Sequence, residues 1–251
     1  MPFHVEALAL FALILSAWMN TAPKADLDQP PPPAVDGTCA NVLDEPADAG
    51  PIDPSPKLTF KKKVPIEIHF TRKYGREDTR QWSDVEKQYI CSAARRVEAV
   101  WSSTEFYNAL ISVKKLKLRG WTSITGADLY DKLTTVPFVL NIAVSSSPDD
   151  AGQCGATIPR LFETVVPTDY IGRHPGAKAC DDDQRGTALV RDLADTIAHE
   201  WTHYANSVRS EDAHAYDDPH YVSYGVGCMT ENLAVTGDDC SFDPSRTQTK
   251  Y

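Results

Sequence analysis

His199, Glu200 and His203 are the residues whose types and spacing could do chemistry in this chain. They sit in the run His199-Glu200-Trp201-Thr202-His203, an H-E-x-x-H pattern. On a helix, two histidines four residues apart stand one above the other on the same face. Two imidazole nitrogens then converge where one Zn²⁺ can accept both. The glutamate between them is rotated by about 100° from the first histidine. It stays near enough to the metal to take a proton from activated water. The pattern has this meaning only on a helix, so the flanking residues matter as much as the motif.

Those residues predict a helix over 187–208. Leu189, Leu193, Ile197 and Trp201 recur every four residues, joined by Val190, Ala194 and Tyr204. They make one apolar stripe of helical width. Thr196, His199, Glu200 and His203 fall beside the stripe, and Arg191, Asp195 and Thr202 on the far side. A half-buried helix with its metal face at the edge of the core is the expectation.

A catalytic zinc needs a third protein ligand and one open position for water. The position six residues beyond His203 is Arg209, so the extended three-histidine pattern fails. The loop from Ser210 to Tyr224 supplies Asp212, His214, Asp217, Asp218 and His220. Glu231 is a further possibility on a following helix. These alternatives stay open on the residues alone.

The H-E-x-x-H helix followed by an aspartate-rich segment resembles the secreted fungal deuterolysin (aspzincin) metallopeptidases. That family has a zincin fold, uses H-E-x-x-H plus an aspartate, and cleaves proteins outside the cell. Its aspartate lies in a G-T-x-D-x-x-Y-G type segment. Here Asp218-Pro219-His220-Tyr221 supplies D-x-x-Y and is followed by Val222. Tyr224-Gly225 supplies Y-G without an aspartate three residues earlier. The Gly-Thr start and the downstream Asn-Ala-Asp segment are absent. The resemblance covers about residues 80 to 235. It implies Asp218 as the third zinc ligand, with His214 next. It also implies Tyr224 or Tyr221 as a hydrogen-bond donor to an oxyanion. The implied activity is that of a monomeric zinc metalloendopeptidase on protein or peptide substrates, with Glu200 as general base. The rival from another class is a secreted zinc-binding or host-interacting protein with a decayed peptidase fold.

The elements that must position the motif are legible in part. Val64 to Thr71 alternates apolar and polar residues, predicting a strand with His69 on its polar side. Ser83 to Trp101 reads as a helix opened by a Ser83/Glu86 capping box. Its expected buried face is Val85, Tyr89, Ile90, Ala93, Val97, Val100 and Trp101. Ile111 to Leu118 and Val136 to Val144 read as strands. Gly152 to Lys178 reads as long loops with room for one short strand. Asp181 to Asp183 precede the motif helix, where acidic residues suit a helix start. A calcium site there is the weaker reading. The expected class is α+β and zincin-like: a small twisted sheet, a motif helix and disulfide staples.

Composition bounds the rest. Ala7 to Trp18 is an apolar run too short to span a bilayer comfortably, and it fits the core of a signal peptide over residues 1–22. Residues 23–56 hold nine of the 18 prolines. They read as a disordered, extended acidic spacer or propeptide. From Lys57 on, the net charge is only −3, so the acidity belongs mainly to the spacer. The folded domain is expected over 57–251. Lys61 to Lys63 is too short a basic run for a nucleic-acid face. No membrane partner is expected once the signal is removed. Six cysteines in a secreted, extracellular chain read as disulfides. Fifteen pairings are possible. Cys228–Cys240 could close a short C-terminal loop, and Cys154–Cys180 a loop before the motif helix. No C-x-x-C occurs, which disfavours a cysteine zinc site.

Overall fold

The computed structural model describes residues 35–42, 46, 58–74, 77–113, 125–135, 138–145, 156–158, 163–167, 186–209, 221–232 and 240. Residues 33–251 form one compact unit. In chain order its strands are β1 (Val35–Thr38), β2 (Ile66–Thr71), β3 (Lys73–Tyr74), β4 (Glu77–Asp78), β5 (Phe138–Ser145), β6 (Ala156–Ile158) and β7 (Glu163–Pro167). Its helices are α1 (Asp84–Trp101), α2 (Thr104–Ser112), α3 (Gly126–Thr135), α4 (Thr187–Arg209) and α5 (Tyr221–Glu231). The class is α+β.

The main sheet has the order β1-β2-β5-β7-β6. β2, β5 and β7 run parallel, and the two edge strands β1 and β6 run antiparallel to their neighbours. β2 begins two residues later than its alternation implied, and Ile68 and Phe70 enter the core. His69 is half-buried, 2.5 Å from Glu67 Oε1 through its Nε2. Trp82 fixes α1 against the sheet. Its indole N–H lies 3.2 Å from both the Thr71 and Ile142 carbonyl oxygens. No helix among the described residues is long and apolar enough to cross a membrane.

The capping box of α1 is present in both directions between Ser83 and Glu86. Burial by itself would raise the Glu86 pKa. Hydrogen bonds from Arg80 and from the Ser83 N–H and hydroxyl outweigh it and hold the carboxyl below its usual range. Six of the seven expected inward residues of α1 are buried, but Val85 is 57% exposed. The inward place in the first turn belongs to Glu86, held there by Ser83 and Arg80, and Val85 is rotated outward.

Three further expectations need correction. Ile111 is no strand residue, because it lies in α2. Ser103 caps that helix through the Phe106 N–H, and Phe106 and Leu110, one turn apart, fill its core side. Residues 114–118 of the expected strand lie outside the described residues. The described residues of the stretch Gly152 to Lys178 form two strands, the antiparallel pair β6 and β7. β7 is an interior strand beside β5, and its Thr-Val-Val sequence suits that place. Finally, the expected spacer begins folding before residue 57. Val35–Thr38 pairs with β2, and Cys39 is bonded to Cys91 of α1. A polar, proline-rich composition hid a strand whose pairing partner and covalent anchor are both distant in sequence.

The α2–α3 contact depends on a missing side chain. A Cβ on Gly126 would stand 1.7 Å from the Leu110 carbonyl oxygen. Backbone cannot yield as a side-chain tip can. Gly126→Ala should therefore cost about 1–3 kcal/mol, as overpacked cores do. Denaturant unfolding would check this, and an unchanged midpoint would contradict it.

Candidate metal centre

The motif helix forms as α4, Thr187–Arg209, close to the range its apolar period predicts. It starts at Gly186, whose φ of +58° suits glycine. The Gly186 carbonyl accepts from the Val190 N–H at 3.1 Å, and its N–H lies 3.4 Å from the Tyr89 hydroxyl of α1. Leu189, Val190, Leu193, Ala194, Ile197, Ala198 and Trp201 are all buried. Trp201 anchors the motif's underside by donating from Nε1 to the Leu133 carbonyl of α3 at 3.2 Å. Its rotation is thereby fixed, and with it the direction of its neighbours.

His199 is half-buried and Glu200 is only 5% exposed. The His199 ring meets the Tyr224 ring edge-on, with centroids 4.5 Å apart and planes at 67°. The backbone of α4 carries His203 one turn further on, as the i+4 spacing requires. The His203 side chain lies outside the described residues. Asp212, His214, Asp217, Asp218 and His220 also lie outside them, as do Asp181 to Asp183. Among the described residues no three metal-ligating side chains form a group. The residue types of the motif fit zinc by their chemistry: two histidines four residues apart on one helix, with the buried Glu200 between them in sequence. It is two protein ligands of the three that a catalytic zinc takes.

The far side of α4 is not a free surface, contrary to the half-buried expectation. α5 packs along it. Thr202 is buried and donates to the Ala198 carbonyl at 2.8 Å. Arg191 Nη2 donates to Asn232 Oδ1 at 2.9 Å. Asp195 faces Gly227, where an added Cβ would stand 1.8 Å from Asp195 Oδ1. Tyr224, Gly227 and Glu231 thus follow α4 in antiparallel register, opposite His199, Asp195 and the Asp192–Asp195 turn. α5 is tied to α1 as well, since Trp101 Nε1 donates to Thr230 Oγ1 at 2.9 Å.

This register bears on the third ligand. Seven residues of helix separate Tyr224 from Glu231, about 10 Å along the axis. The direction is away from His203. Glu231 belongs to the Asp195 end of the seam, where Asn232 Nδ2 donates to its Oε2 at 3.1 Å. The Asp195 seam itself was not foreseen. The available signal was Gly225-Val226-Gly227 inside an apolar segment, because helix glycines mark close approach.

Burial raises the Asp195 carboxyl well above its usual range, and the nearby Glu231 and Asp192 charges raise it further. Nearby, Arg96 Nη2 donates to the Glu231 carbonyl oxygen and Arg191 Nη2 to Asn232 Oδ1. A raised acid pKa stabilises the fold fully below the unfolded value, near 3.8, and that stability is lost as pH rises through the folded value. Asp195→Asn keeps the shape without the charge. It should melt above the wild type at pH 7, with the difference shrinking as pH falls toward 3.8. Thermal melts of both proteins across this range would test it. A constant difference would disprove the linkage.

No protein-family model, no curated protein and no solved structure matches this chain. The fold and the motif describe a disulfide-bridged α+β protein with H-E-x-x-H on a helix packed between two others.

Proposed function

We propose that this protein is a secreted zinc-dependent metalloendopeptidase of zincin type, similar to the deuterolysin family. The observation that carries this reading is the helical H-E-x-x-H motif, with Glu200 buried beside His199 and Trp201 pinned beneath. His199 and His203 hold the zinc, and Asp218 is the third ligand. Asp218 precedes α5 by three residues, a length of chain that spans at most about 11 Å. Tyr224, on the next turn of α5, touches His199. The reach of the chain is thus compatible with Asp218 joining the two histidines.

When bound, zinc would supply a water of pKa lowered toward about 7 and would polarise the scissile carbonyl. Glu200 accepts the proton of the attacking water and returns it to the leaving amine. Its burial limits competition from bulk solvent for that proton. Tyr224, placed by its contact with His199, donates its hydroxyl to the developing oxyanion. β6 is an antiparallel edge strand packed near α4. It offers backbone groups to an extended substrate.

The test is metal content per mole of purified protein, beside casein hydrolysis with and without a chelator. About one zinc per chain with chelator-sensitive cleavage is expected, from the single motif. One zinc without cleavage would favour the zinc-binding, host-interacting reading instead. No zinc would overturn both.

A further inference from the structure

The N-terminal arm is fastened to the folded unit at several points. β1 pairs with β2 through Val35 with Thr71 and Thr38 with His69, with a register shift between. Cys39 follows at once and is bonded to Cys91, which is fully buried on α1. The Val42 carbonyl accepts from Arg95 Nη1 at 3.1 Å, and Pro46 is buried. The chain is fixed again at Thr59. Its N–H donates to Glu105 Oε2 at 2.9 Å, and its carbonyl accepts from the Thr104 N–H at 2.7 Å. Between the two fastenings runs Ala47 to Lys57, ADAGPIDPSPK, with three prolines and no apolar period.

We propose that β1 is a guard strand on the β2 edge, latched by Cys39–Cys91, so that a cut within residues 47–57 yields a two-chain protein instead of releasing a propeptide. Four residues of irregular pairing hold a strand weakly. The bridge makes the pairing intramolecular, which raises the effective concentration of the strand to about millimolar. The guard covers backbone donors and acceptors that an open edge would present to other chains. Removal of the arm from Val35 on would take β1 and Cys39 from the fold. This inference is independent of the peptidase reading.

The experiment uses the full, oxidised chain with a site-specific protease recognition sequence placed within residues 48–53. The cut adds one water across one peptide bond and leaves the disulfides untouched. Under denaturing, non-reducing conditions the cut protein should run as one species, and after reduction as two. Two species without reductant would overturn the proposal. The same cut in Cys39→Ser should let the arm elute apart from the body in native size exclusion. Co-elution would show that strand pairing suffices and would overturn the latch. If Cys39→Ser does not fold, the cut wild type is reduced natively by a dithiol. The dithiol passes two electrons and two protons to the bridge and leaves as its own disulfide. The same two elution outcomes then decide.

Discussion

Glu200→Gln is expected to keep one zinc per chain and to lower casein hydrolysis about 10³-fold, the scale of a lost general base. The amide matches the carboxylate in shape but cannot accept a proton from water. Metal content should hold because, on the proposed reading, His199 and His203 bind the zinc and Glu200 does not. The fold should hold as well. Glu200 is only 5% exposed, and glutamine fills the same buried volume, so the packing around it is kept. Thermal melting and metal analysis beside the activity assay separate these effects. Undiminished cleavage by the Gln variant, at equal zinc, would remove Glu200 from the role of base. Loss of zinc would mean that the carboxylate helps hold the metal.

Cys39→Ser should destabilise the uncut protein by about 4 kcal/mol, from the loop-closure entropy of a long bridged loop. Cys39 and Cys91 are 52 residues apart, so the bridge removes much freedom from the unfolded chain. Breaking Cys228–Cys240, with a separation of 12, should cost about 3 kcal/mol on the same reasoning. For a chain of this size the first change lowers the melting temperature by roughly 10 °C. The order of the two effects is the sharper test. Equal shifts would mean that native packing around the cysteines, and not unfolded-state entropy, sets their worth. Cys154 and Cys180 lie outside the described residues.

Local regularity explains what could be read in the sequence. The four-residue recurrence of Leu189, Leu193, Ile197 and Trp201 predicts α4, and these residues are buried as that period requires. Ser83 and Glu86 predict the start of α1 because a capping box is a contact between residues three apart. Cys228 and Cys240 are close enough in sequence for their bond to be foreseen as a short loop. Where the deciding contact is distant, the sequence is silent. α2 and α3 are short, with apolar pairs too few to show a period, and become helices by packing on each other at Gly126.

The chemistry divides along the same line. Residue types and spacing determined that His199, Glu200 and His203 share one helix, since four residues are one turn wherever that helix lies. Only the tertiary structure decided what surrounds them. It set Tyr224 against His199, Gly227 against Asp195, and Glu231 far along α5 from the motif's second histidine. It also decided that Val35–Thr38 belongs to the sheet. Periodicity describes one segment at a time, whereas the approach of α5 to α4 and of β1 to β2 depends on side chains that fit each other across tens of residues.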